Sequence, residues 1–231
     1  MGISKIYPFE CIKVESDEKK VMEVFEMMKK DGELKGYTPV IIIEDANGLM
    51  EENIRFAKED CGSYEDFVKV CLEEYKQVDV KNFFESKKKE YKEEGLLEKA
   101  HLDGDILYEQ SNSVYLGEKN ENVLIAKIPT DKPYEVFAYV PMGGFNDCPD
   151  NAIHIALAKY WSDMNNAYPI CIGSDTIQFK LDEPIKEEGL LEKIALEQYL
   201  YCGDIVWQGV ETVKNLANSL GSSKVWYFWW D

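Results

Sequence analysis

Six residues near the end of the sequence, Val225-Trp226-Tyr227-Phe228-Trp229-Trp230, leave this chain few ways to fold. Side chains alternate along a strand, so Val225, Tyr227 and Trp229 face one way and Trp226, Phe228 and Trp230 the other. Both faces are apolar. A strand of this kind needs either an interior position in a sheet or a second layer docked on it. At 231 residues the chain is long enough to supply that cover, and an apolar fraction of 45% excludes wholesale disorder.

The remaining pattern supplies both strands and helices. Residues 16–31 read as a helix, with Ser16 as N-cap, Val21, Phe25 and Met28 as its apolar stripe, and Gly32 as its stop. Thr38–Ile43 reads as a buried strand closed by the turn Asp45-Ala46-Asn47-Gly48. Residues 51–94 are helical and heavily charged, and Ser63-Tyr64-Glu65-Asp66 resembles a capping box. Val114–Leu116 and Val123–Ile128 predict a hairpin around residues 117–122, with Val136–Val140 as a third strand. A helix is expected from Pro149 to about Asn165, then strands at Pro169–Ile172 and Thr176–Leu181. Helices at Glu187–Tyr201 and Ile205–Leu220 follow. The octapeptide KEEGLLEK occurs at Lys92–Lys99 and Lys186–Lys193 without extending into the flanks, which reads as two similar charged helix starts. The expected class is α+β: a mixed, mostly antiparallel sheet with helices packed against it, and an α-rich N-terminal portion. Residues 1–100 form that portion, with one or two strands, and residues 101–231 form the α+β domain.

Charge narrows the partners. The formal net charge is −18, both halves share the acidic excess, and Arg55 is the only arginine. Phosphate backbones and anionic membrane surfaces are held mainly by Lys and Arg, so nucleic acid and membrane are not expected partners. A basic protein or a small molecule suits the field better. No segment approaches the roughly 18 apolar residues of a membrane helix. The first residues carry Lys5, Glu10 and Lys13 and have no apolar signal region, so a cytoplasmic location is expected. The six cysteines form no CxxC pair, and reduced, mostly buried thiols are the simplest reading.

The densest group of chemistry-bearing residues is Gly143-Gly144-Phe145-Asn146-Asp147-Cys148-Pro149. With Pro149 at the first helical position, Cys148 becomes the N-cap, where the helix dipole favours a thiolate. The obvious base, His154, then lies about 120° around the helix from Cys148, which disfavours direct pairing. The alternative is a strand-to-helix turn capped by Asn146 and Asp147, or a ligand-contacting loop. Glu197, Asp204 and Gln208 cluster about the junction of the last two helices, with Tyr199, Tyr201 and Trp207 available to stack a ligand. Asp204 is equally a good N-cap for the last helix. Trp229 and Trp230 are either core or the lining of an aromatic pocket with Asp231 at its mouth. The histidines are His101 and His154, and no ligand set has metal-site spacing, so neither a metal nor a cofactor is expected.

The same string of motifs resembles the bacterial domain of unknown function 4253 family. The resemblance is carried by Gly143–Pro149, Tyr160-Trp161, Asp175-Thr176, Glu197-Gln198-Tyr199, Asp204-Ile205-Val206, Gln208-Gly209 and Trp226–Asp231, and it spans roughly residues 123–231. Phe145 departs from the Trp more usual in that family. The resemblance implies a bacterial-type intracellular domain in which these residues act as a unit, and it assigns no reaction. The expected function is therefore binding, of the kind an acidic inhibitor or immunity-type protein offers a basic partner. The alternative is an enzyme with a pocket between the Gly143–Cys148 loop and the Asp204–Gln208 junction. Both readings need the loop, the junction and the aromatic tail to meet in space.

Overall fold

The structure, a computed structural model, describes residues 7–44, 47–100, 104, 106–107, 112–117 and 122–231. His101, Asp45, Ala46 and residues 118–121 of the expected hairpin loop lie outside these. Strands β1 (Cys11–Val14), β2 (Thr38–Glu44), β3 (Asn122–Ile128), β4 (Tyr168–Ile172), β5 (Thr176–Lys180) and β6 (Val225–Trp229) form one sheet in the order β1-β3-β2-β4-β5-β6. Only the β2–β4 pairing is parallel; the other four are antiparallel. The expected α+β class with a mixed, mostly antiparallel sheet is what is found. β2 is inserted between β3 and β4, so residues 1–100 and 101–231 contribute strands to the same sheet.

Register fixes what each face buries. One row across the sheet reads Leu124, Ile42, Ile172, Ile177, Phe228, all in the larger apolar core. The neighbouring row reads Ile125, Ile41, Cys171, Gln178, Tyr227 on the opposite face. There α1 (Glu18–Lys35) lays down Val21, Phe25 and Met28, each almost fully buried. Burial of each such side chain stabilises the fold by about 1.5–3 kcal/mol. The first face is covered by α6 (Asn151–Asn165) and α7 (Glu188–Tyr201), outside which α4 (Val80–Glu93) packs. α2 (Leu49–Cys61), α3 (Tyr64–Glu74), the single turn α5 (Leu96–Ala100) and α8 (Val213–Leu220) complete the helices named below. No helix among the described residues is long and apolar enough to cross a membrane.

β6 is an edge strand rather than an interior one, and its cover comes from docked layers. Trp226, Phe228 and Trp230 are buried on the α6 side, whereas Tyr227 and Trp229 are only half-buried. At the centre Trp161 is wholly enclosed, stacked on Phe228 at 5.8 Å and edge-on to Tyr201, Phe179 and Trp226.

Several local expectations are corrected. α1 is capped by Asp17, which accepts from the Lys20 N–H, and runs through Gly32 to end at Gly36 with φ 75°. Val136–Val140 is not a strand: a 3-10 helix spans Pro133–Ala138, with proline in its first turn. Val114–Leu116 is irregular rather than half of a hairpin, and β3 pairs instead with β1 and β2. The expected final helix is broken. A π-helix covers Ile205–Val210, Glu211 turns the chain at φ 70°, and Thr212 caps α8 by accepting from the Asn215 N–H. The two KEEGLLEK copies also differ. Lys186–Lys193 opens α7, but Lys92–Lys99 spans the break between α4 and α5, with Gly95 at φ 70°. The local sequence is identical, so tertiary surroundings decide between them.

Candidate functional site

The loop before α6, the α7–π-helix junction and the tail after β6 do meet, through hydrogen bonds at one corner of the sheet. Asn146 Nδ2 donates to the Asp231 backbone carbonyl at 2.6 Å. The Asp231 N–H donates to Asp204 Oδ2 at 3.1 Å. Gln208 Nε2 lies 3.3 Å from both Asp204 Oδ1 and Asp231 Oδ2, so one amide bridges two carboxylates. Beneath them, Cys202 Sγ donates to the Trp229 carbonyl at 2.9 Å, and the Trp230 N–H to the Asp175 carbonyl at 3.1 Å. Asp204 is therefore not the helix cap it resembled. The π-helix has no side-chain cap, and its wider winding leaves the Asp204 carboxylate to hold the tail.

Asn146, Asp147, Gln208 and Asp231 are exposed and Asp204 is half-buried. Asn146 is also held at φ 47°, a left-handed conformation that Asn tolerates better than most residues. Beside this group stands Trp207, 40% exposed, with its indole N–H bonded to Tyr199 Oη at 3.0 Å and its ring 5.7 Å from that of Tyr91. Burial is the main cause that raises the Tyr91 phenol above its ordinary range, and the Asp147 carboxylate adds to it. Among the described residues no Lys or Arg forms an ion pair with Asp147, Asp204 or Asp231.

The remaining candidates face inward. α6 starts at Asn151 with Asp150 as its N-cap, so Cys148 lies two residues before the cap and not at it. It is buried, and desolvation pushes its thiol upward, opposite to the expected depression. With Cys148 off the helix, the angular argument against pairing with His154 no longer applies: Sγ and Nε2 are 3.7 Å apart. The pair still makes a poor nucleophile and base. The His154 ring is held from its other side, where Nδ1 lies 2.7 Å from Tyr201 Oη. A Cβ added at Gly143 would lie 1.9 Å from the Pro149 carbonyl oxygen and 2.7 Å from His154 Nε2. Only a glycine, here at φ 106°, fits there. Full burial holds the ring neutral, its pKa lowered to about 3.

Glu197 belongs to neither group. It is buried between α6 and α7, accepting from Tyr160 Oη at 2.8 Å and Trp161 Nε1 at 3.4 Å, with Lys193 Nζ at 3.5 Å. Trp229 is half-buried beside Tyr227, their rings 5.5 Å apart, and Trp230 is buried against Tyr201 and His154. Among the described residues no three His, Cys, Asp or Glu side chains are grouped to hold a metal ion. Tyr91 was missed by sequence reasoning: it sits in a charged helix far along the chain from the loop it supports, and no local spacing links them. Trp207 was readable as a stacking residue, but not as the exposed centre of the group.

Fold and site together define an α+β domain whose aromatic tail is tethered to a solvent-facing acidic corner. Residues 124–231 match the family model described as Domain of unknown function (DUF4253), the stretch over which the motifs above resemble that family. Comparisons with curated proteins and with solved structures each return no match.

Proposed function

We propose that this chain is a binding protein for a basic partner protein, and that the corner formed by Asp147, Asp204, Trp207, Gln208 and Asp231 is its contact surface. The observation that carries the reading is a half-exposed tryptophan beside three carboxylates that have no cationic partner among the described residues. An aromatic anchor within a charged rim is the arrangement in which a few residues supply most of an interface's energy. A net charge of −18 steers a cationic partner toward it and speeds association. The hydrogen bonds from Asn146, Gln208 and the Asp231 N–H hold these groups in place, so little ordering cost remains on binding. The catalytic alternative has less support, since Cys148 is buried and desolvation pushes its thiol upward.

The test is calorimetric titration with the basic proteins encoded beside this gene, at about 50 and about 300 mM salt. One of them is expected to bind and to weaken at least tenfold at the higher salt, roughly the loss expected for a few screened charge pairs. Trp207→Ala and the combined Asp147→Asn, Asp204→Asn change should each weaken it about tenfold or more. Binding indifferent to salt and to both variants, or no binding at low salt, would sink the proposal.

A further inference from the structure

Where α1 hands over to β2 and α6 to β4, the sheet opens into a cleft that shares no residue with the acidic corner. β2 and β4 are the parallel neighbours, and they pair only at Ile41 with Cys171 and Ile42 with Ile172. Two residues earlier the same register would set Pro39 beside Pro169. The Lys127 N–H, opposite Pro39, goes to Glu10 on the β1 side, so Pro39 turns its nitrogen toward β4. The Leu181 N–H goes to Lys224 on the β6 side. Phe179 turns its backbone that way too, so Pro169 opposite it turns its nitrogen toward β2. Neither proline has an N–H to give across the gap, and the ladder stops. A cavity of about 530 Å³ lies there, with both prolines on its wall.

The charges around this cleft are mostly negative. Glu33, Asp131 and Asp182 line it, all exposed and so open to a ligand, against one ammonium, that of Lys29. None of the three carboxylates has a Lys or Arg partner among the described residues. Lys29 lies instead over the Tyr168 ring, 4.3 Å from its centre. The walls are left two negative charges in excess. Two helix C-termini add to them, because the caps Gly36 of α1 and Asn166 of α6 are both on the wall. An anion is therefore disfavoured and a cation favoured. The spread of the charges decides which kind. Among the described residues no three His, Cys, Asp or Glu side chains are grouped to hold a metal ion, so these carboxylates are not a chelating set. Phe25 and Pro133 join Pro39 and Pro169 as apolar surface on the same wall. A compact ion would leave that surface bare. A methylene chain between two ammonium groups covers it and brings a charge to each end.

We infer that this cleft binds a linear aliphatic diamine, its methylenes against Pro39 and Pro169 and its ammonium groups among Glu33, Asp131 and Asp182. The site does not depend on the acidic corner, and either can fail alone.

The test is calorimetric titration with 1,5-diaminopentane at about 150 mM salt, where the diffuse attraction of an acidic chain is largely screened. Saturation at one equivalent is expected. 1-Aminopentane, the same chain with one charge, should bind about tenfold more weakly, as loss of one charge-assisted contact allows. Mg²⁺ at matched ionic strength should not displace the diamine. The combined Asp131→Asn, Asp182→Asn change should weaken the diamine about tenfold and reduce its advantage over the monoamine. Asp147→Asn with Asp204→Asn removes the same charge from the acidic corner and should leave the affinity within about twofold. Urea unfolding confirms that each variant is folded, and the preference for two charges over one needs no variant at all. A diamine that fails to saturate at one equivalent, binds no tighter than 1-aminopentane, gives way to Mg²⁺, or responds alike to the two pairs of substitutions would overturn the assignment. The attraction would then belong to the charge of the whole chain.

Discussion

The ten residues whose chemistry marked them as candidates divide into an outer and an inner set, and the two differ in how their polar atoms are occupied. Asn146, Asp147, Asp204, Gln208 and Asp231 lie at or near the surface, where the bonds of Asn146, Asp204, Gln208 and Asp231 run to one another and to backbone at the tail. Cys148, His154, Glu197 and Trp230 lie inside, with Trp229 between the two. Inside, Tyr201 Oη lies 2.7 Å from His154 Nδ1, and Tyr160 and Trp161 use both oxygens of Glu197. A polar residue whose capacity is already filled by the core holds the fold together. One with capacity left over on a rigid surface can serve a partner. Residue type alone does not separate these roles.

The inner set should therefore answer to stability measurements far more strongly than the outer. The largest effect is expected at Trp161, which donates to Glu197 from the centre of the core that encloses this set. Trp161→Ala removes the ring on which Phe228, Tyr201, Phe179 and Trp226 pack, and leaves Glu197 short of a donor. A loss of about 3–5 kcal/mol in urea unfolding is expected. A loss below about 1.5 kcal/mol would mean the core collapses around the gap, and the inner set would not be the rigid half of the comparison.

The next effect is smaller and depends on pH. His154 is held neutral by burial, with its pKa lowered from 6.5 to about 3. The unfolded chain then binds a proton at His154 that the folded chain refuses. Stability from this group is complete above the unfolded value and is lost as pH falls from 6.5 toward 3. Unfolding of wild type and His154→Gln between about pH 7 and 4.5 isolates the term, since the carboxylates are common to both. The wild type should lose up to about 1.4 kcal/mol more per pH unit than the variant. Parallel curves would place water or a counter-charge beside the ring.

How much of this was legible depended on range. Alternation along Val225–Trp230 is local and gave a strand apolar on both faces. Ser63 at α3 and the stripe of α1 are equally local, and they were readable too. The meeting of loop, junction and tail could be posed from the sequence but not decided by it, because it rests on bonds such as Asn146 to Asp231 across 85 residues. The errors have the same origin. Cys148 was placed at a helix start because Pro149 suits one, but Asp150 caps better, and the two-residue shift reverses the environment of the thiol. The break at Glu211 was hidden because Val206, Val210, Val213 and Leu216 keep helical spacing through it.

The smallest expected effect lies in the outer set and is the sharpest test of the division. Gln208 is exposed, and its amide stands between the Asp204 and Asp231 carboxylates. Gln208→Ala removes two long hydrogen bonds in high dielectric and leaves two like charges facing each other. The cost should be no more than about 0.5–1 kcal/mol at low salt, and it should shrink as salt screens the repulsion. Gln208→Lys should reverse the sign, gaining a few tenths of a kcal/mol at low salt and nothing at high salt. Urea unfolding of both variants at two salt concentrations measures all of this. A cost above about 2 kcal/mol for Gln208→Ala, unchanged by salt, would show that the corner closes the fold as His154 and Glu197 do. The surface offered to a basic partner would then be part of the core's outer wall, and the line between the two sets would have to be drawn outside it.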